Sequence, residues 1–128
     1  MTTHDFQDGS GPVPAHQHPS GGGWVADSAV VDDDAYIGPN ACVFGLAWVC
    51  NNVWVYGNAR VFGSAFLSDE CLVFDNASVS GEARVSVNAR VYENASLSGS
   101  VVVTGRAWVH GAASLTEGVV DHEQDVEA

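Results

Sequence analysis

Aliphatic residues recur along this chain with a period of six. From Val25 to Leu115 every sixth residue is Val, Ile or Leu, sixteen times without interruption. Two positions before each stands a small residue, Ala in twelve cases and Gly23, Val53, Cys71 or Val101 in the others. Apolar spacing on a helix averages about 3.6 residues, so no helix fits this pattern. An ordinary hairpin would alternate and then break at irregular turns. Six residues do suffice for one short strand and one tight corner, and three such units close a triangular coil of about 18 residues. Coils stack about 4.8 Å apart, the usual distance between strands. The pattern thus predicts an all-β parallel solenoid of about five coils, a prism roughly 25 Å tall.

Alternation along each strand assigns every side chain a direction. The aliphatic residue and the small residue two before it share one face and point inward. The residues on either side of the aliphatic one point outward. Corners need backbone freedom, which Gly and Asn supply through their tolerance of positive φ. Gly45, Gly57, Gly63, Gly81, Gly99, Gly105 and Gly111 stand two after the aliphatic residue; Asn40, Asn52, Asn58, Asn76, Asn88 and Asn94 stand three after. Of ten acids between Asp27 and Glu117, nine fall at corners and Asp32 at an outward slot, so burial costs none of them their hydration.

The periodic domain spans residues 23–117. Residues 1–22 carry Gly, Pro, Ser and three His without the repeat, and are expected to form a flexible or surface-draped arm. Residues 118–128 form a short acidic tail, expected to cap the last coil weakly or to remain disordered. The open strand edge at a solenoid end calls for some cover.

With 16 acids, four Arg and no Lys, the formal charge is −12. That argues against direct binding to nucleic acid or to an anionic membrane surface, and suits a basic partner. No apolar run approaches the roughly 20 residues of a membrane span, and the first residues lack the basic and apolar regions of a signal peptide. The expectation is a soluble chain. Cys42, Cys50 and Cys71 fit no zinc spacing and are expected to be reduced, with Cys71 in an inward small-residue slot.

The units Ile37-Gly38-Pro39-Asn40-Ala41-Cys42 and Val55-Tyr56-Gly57-Asn58-Ala59-Arg60 resemble those of hexapeptide-repeat, left-handed parallel β-helix proteins. The resemblance covers residues 23–117. It implies the left hand, which the general crossover rule would not favour. The family's best-known members are acyltransferases and gamma-class carbonic anhydrases, typically homotrimers. The Val-Tyr-Gly-Asn-Ala-Arg flavour, entered through His18-Pro-Ser-Gly-Gly-Gly-Trp24-Val25-Ala26, resembles small repeat proteins often carried by bacteriophages and prophages.

Neither enzymatic precedent transfers readily. The periodic run has no loop insertions, and its one His, His110, points outward with no substrate pocket or orienting partner evident. A three-His zinc site would have to draw on His4, His16, His18 and His122 in the tails, and the spacing does not match. His16-x-His18 is a conceivable metal pair, but a solvated arm is the simpler reading. No catalytic residue, cofactor or metal is expected.

The outward slots are more informative. Eleven of the twelve aromatics occupy them, and Phe6 is in the arm. Counting in eighteens, one face carries Tyr36, Trp54, Leu72, Arg90 and Trp108 in one column, and Gly38, Tyr56, Phe74, Tyr92 and His110 in the other. So large an aromatic patch exceeds what a lone soluble protein normally exposes. Tyr, Trp and Arg are also the residues enriched at interface hot spots. Tyr36, Trp54, Tyr56, Leu72, Phe74, Arg90, Tyr92, Trp108 and His110 are therefore the candidate interface residues, with self-association as a trimer the expected use. A second face carries Ser78, Ser80, Ser96, Ser98, Ser114 and Thr116, loosely like the Thr ladders of ice-binding β-helices. The expected role is a non-catalytic docking module, by its phage-like flavour a virion component such as a capsid decoration or tail-associated protein, with other virion proteins as partners. The alternatives are an acidic, nucleic-acid-mimicking inhibitor of a host enzyme, an acyltransferase-like enzyme, and an ice-binding protein.

Overall fold

The computed structural model describes residues 2–121 and 125–127. Within them the six-residue period becomes a parallel β-solenoid with three sheets along its sides. Numbered in chain order, β1 (Thr3–Asp5) and β2 (Pro12–Gln17) precede the coils. The first sheet then stacks β3 (Trp24–Ala26), β6 (Cys42–Val43), β9 (Arg60–Val61), β12 (Ser78–Val79), β15 (Ser96–Leu97) and β18 (Ser114–Leu115). The second stacks β4 (Val30–Val31), β7 (Trp48–Val49), β10 (Phe66–Leu67), β13 (Arg84–Val85), β16 (Val102–Val103) and β19 (Val119–Val120). The third stacks β5 (Tyr36–Ile37), β8 (Trp54–Val55), β11 (Leu72–Val73), β14 (Arg90–Val91), β17 (Trp108–His110) and β20 (Asp125–Glu127). Each strand pairs in parallel with the strands above and below, as where Leu72 sits between Trp54 and Arg90.

The interior follows the predicted parity. Fourteen of the sixteen aliphatic residues are completely buried, as are Val53, Cys71 and Val101 in the small-residue slots. The other two, Val31 and Leu115, are partly buried and pack against the same core.

Six strands per sheet make six coils, where the uninterrupted run accounts for about five. The repeat continues past Leu115 after losing one residue. Val103 pairs with Val120 and Val109 with Val126, in place of the eighteen-residue offset seen between Val85 and Val103. The shortened corner leaves Gly118 in the small-residue slot, and Val120 and Val126 pack on the core. The acidic tail thus supplies two further strands.

The corners show a stricter rule than composition suggests. From Gly45 to Gly111, the residue two after every aliphatic one has positive φ, whatever its type: seven Gly, and Asn51, Asp69, Asp75, Val87 and Glu93. The Asn residues three after it keep negative φ. Their expected role in turning the chain therefore falls to the preceding residue; Asn58 instead donates to Asn76 in the next coil at 3.3 Å. Four acids bond corner N–H groups of the following coil. Asp32 accepts from Asn51, Asp69 from Val87, Asp75 from Glu93 and Glu93 from Gly111, at 2.8–3.2 Å. Part of the edge acidity therefore satisfies backbone donors of the turns.

Val87 is the misfit of this column. A β-branched residue at φ 61° is strained, and 41% of its surface is exposed, so little packing compensates. Replacing Val87 by Gly is expected to raise stability by about 1 kcal/mol, or about 4 °C in melting temperature. A circular-dichroism melt checks this.

The N-terminal segment is a hairpin. β1 pairs antiparallel with β2, and β2 pairs antiparallel with β3, extending the first sheet beyond the first coil. Phe6 is buried against Phe44, and the His4 ring stacks on Trp24 at 4.6 Å. The described residues contain no helix long and apolar enough to cross a membrane.

Candidate functional site

The third sheet gathers all nine candidate interface residues on one outer surface, because parallel in-register pairing stacks equivalent positions of successive coils. Tyr56, Phe74, Tyr92 and His110 form a ladder of nearly parallel rings. Centroids lie 4.9, 5.0 and 4.9 Å apart, with interplanar angles of 3°, 2° and 6°. These spacings follow the distance between strands. Beside the ladder, Tyr36 tilts over Trp54 at 5.0 Å. The Arg90 guanidinium lies 5.4 Å from the Trp108 ring centroid, within cation–π range.

The two columns differ in exposure. The ladder rings are half-buried by one another, while Trp54 and Trp108 are 49% and 41% exposed. Burial, and then the nearby Asp75, raise the Tyr56 phenol above its ordinary range; Arg90 offsets part of this. Tyr56 is therefore neutral at pH 7 and a hydrogen-bond donor at the ladder's upper end.

His110 terminates the ladder with two carboxylate contacts. Its Nδ1 lies 3.0 Å from Glu93 Oε1, and its Nε2 bonds Asp125 Oδ1. The orienting partners absent from the sequence reading come from a neighbouring corner and from the sixth coil. The Asp125 contact fastens β20 to the face. A shallow groove lined by Glu70, Leu72, Asn88, Arg90, Arg106 and Trp108 runs beside the outer column. It opens directly on the surface, as does a second groove lined by Ser64, Phe66, Glu82, Arg84, Ser100 and Val102.

The remaining candidates are placed elsewhere. His16 bonds Asp27 at 2.7 Å, while His18 is buried with Nε2 2.8 Å from the Ala35 carbonyl oxygen, so the two do not converge. His122 lies outside the described residues. No cluster of metal-ligating side chains forms among the described residues. All three cysteines are free thiols. Burial pushes Cys71 up to about 12 and also raises Cys42 and Cys50. A thiol in that range is a poor nucleophile at neutral pH.

The other faces use their aromatics differently. On the first sheet, Phe6 stacks on Phe44 at 4.8 Å and Phe44 on Phe62 at 4.9 Å. Arg60 donates to the Phe6 carbonyl at 2.7 Å and lies over Phe44. The hairpin thus covers the upper aromatics of that sheet, leaving the lower Ser rows outward. The second sheet carries a stripe that the face-by-face count did not single out. Val30, Trp48 and Val119 are at least half exposed there, with Leu46 70% exposed at the adjoining corner. Val30 and Trp48 were available in the same count of eighteens, whereas the register shift after Leu115 hides Val119.

Fold and face together define a parallel β-solenoid with an exposed aromatic sheet. No family model, curated protein or solved structure matches the chain.

Proposed function

We propose that this chain is a non-catalytic docking module that assembles with copies of itself, as a homotrimer, through the aromatic face of the third sheet. One observation carries the reading. Trp54 and Trp108 are both more than two-fifths exposed on a rigid face whose remaining rings are already stacked. Large amphipathic side chains held in fixed rotamers lose little conformational entropy on association, which makes them effective anchors. On the first sheet the same kind of surface is covered by the chain's own Phe6. The trimer and the virion setting, as a capsid decoration or tail-associated component, rest on the sequence resemblance to hexapeptide-repeat and phage-borne proteins.

This reading stands ahead of the acidic mimic because three of the corner carboxylates, and Asp32 beside them, already bond corner N–H groups. It stands ahead of an acyltransferase because both described grooves beside Arg90 and Arg84 are shallow and open. Light scattering tests it. The expected mass is about 40 kDa, three times the 13.4 kDa chain. A wild-type mass of one chain at micromolar concentration contradicts it.

A further inference from the structure

The coils pair by one rule throughout: parallel, in register, each strand offering N–H and C=O groups to the coil above and the coil below. Nothing in that rule limits the number of coils. The first coil of one copy has the pairing pattern needed to sit on the sixth coil of another.

The N-terminal end departs from the rule at two of its three sides. On the first sheet, β2 lies on β3 in the antiparallel sense, so a parallel strand cannot add there. On the third sheet, the turn after β2 folds onto β5. The Ile37 N–H donates to the Ser20 carbonyl at 3.0 Å, and the Gly23 N–H donates to the Ile37 carbonyl at 2.9 Å. A Cβ at Gly21 or Gly23 would overlap the carbonyl oxygens of Ile37 and Gly38, so only glycine permits this seating. His18, buried and bonded to the Ala35 carbonyl, anchors the turn from beneath. On the second sheet β4 remains the outermost strand, and its Val30 is half exposed.

The opposite end is different. Among the described residues, β18, β19 and β20 are each the last strand of their sheet. Leu115, Val120 and Val126, on those strands, are only partly buried although they pack on the core. Unpaired edges over an apolar end are a template for strand addition.

We propose that the hairpin of residues 3–17 and its glycine turn form an end stop, and that without them a second copy of this chain seats its first coil on the sixth, building head-to-tail filaments. Acids flank both ends, Asp27, Asp32, Asp33 and Asp34 at one, and Glu117, Asp121 and Asp125 at the other. Like charges oppose the contact at low salt, and screening relieves the opposition. Filament growth is accordingly faster at 0.5 M than at 0.05 M sodium chloride, concentrations that bracket a Debye length of about 10 Å.

The test compares three proteins at both salt concentrations: the full chain, the chain lacking residues 1–22, and the full-length variant Gly23→Val. Light scattering and electron microscopy give size and shape, and far-ultraviolet circular dichroism reports the coils. The full chain keeps one size. The truncated chain forms filaments, with a mass rise of about tenfold or more at high salt. Gly23→Val unseats the turn from the third sheet but retains β2 on β3, so the first sheet stays blocked and this variant keeps the wild-type size. The proposal is overturned if the truncated chain keeps its β signal and the wild-type size. It is also overturned if truncation abolishes the β signal, since an end stop must be separable from the coils it stops. Loss of the third-sheet assembly leaves this outcome unchanged, because the two contacts use different surfaces.

Discussion

Val79→Asp will prevent folding, whereas Ser78→Asp, one residue earlier, will leave the solenoid intact. Val79 is completely buried, between Val61 and Leu97 in an aliphatic column that also packs against its neighbours across the prism. A carboxylate there has no partner and no water. Even after relaxation such a charge costs several kcal/mol, against a total stability of about 5–15 kcal/mol for a typical domain. Each interior coil bonds the coils above and below it along three sheets, so the disturbance does not stay local. Ser78 is in an outward, partly exposed slot, which leaves an introduced carboxylate in contact with water. Far-ultraviolet circular dichroism separates the outcomes: no cooperative transition for the first variant, and a melting temperature within about 2 °C of wild type for the second.

Replacing Trp54, Phe74 and Trp108 together by Ser is expected to give a folded monomer of 13.4 kDa. Each residue is in an outward slot, so none supports the interior column. Within the face, Phe74 stacks between Tyr56 and Tyr92, and its loss divides the ladder. Removing an aromatic anchor from an interface costs about 2–4 kcal/mol. Losing three weakens association by at least about four orders of magnitude, at 1.4 kcal/mol for each factor of ten. The fold loses less, since a stacked pair contributes only about 0.5–1.5 kcal/mol beyond its area burial. An oligomer of wild-type mass in the triple variant would place the interface elsewhere.

The solenoid was legible because its determinant is local and repeated. Sixteen aliphatic residues in one register leave a single face assignment for every neighbour, and pairing then brings Trp54, Leu72 and Arg90 into one column. Four features were not legible, each for its own reason. A one-residue deletion after Leu115 moved the last units out of register, so Val120 and Val126 fell between expected positions. The hairpin's antiparallel pairing and the burial of Phe6 and His18 depend on contacts distant in sequence, such as that of Arg60 with the Phe6 carbonyl. The carboxylates around His110 come from Glu93 and from Asp125, which only the shifted register of the sixth coil brings beside it. At the corners, Gly at seven of the twelve positive-φ positions marked the turning residue, but Val87 there has no local propensity to betray it.

The four tryptophans allow the interface to be located directly. Trp48 on the second sheet is 51% exposed, close to the 49% of Trp54 and the 41% of Trp108 on the third, while Trp24 lies under His4. Brief hydroxyl-radical oxidation of the assembled protein, read by mass spectrometry, therefore compares faces of equal intrinsic access. Self-association through the third sheet predicts that Trp48 is oxidised while Trp54 and Trp108 are protected, and that all three react alike in dilute monomer. Oxidation of Trp54 and Trp108 at the rate of Trp48 in the concentrated protein would contradict it.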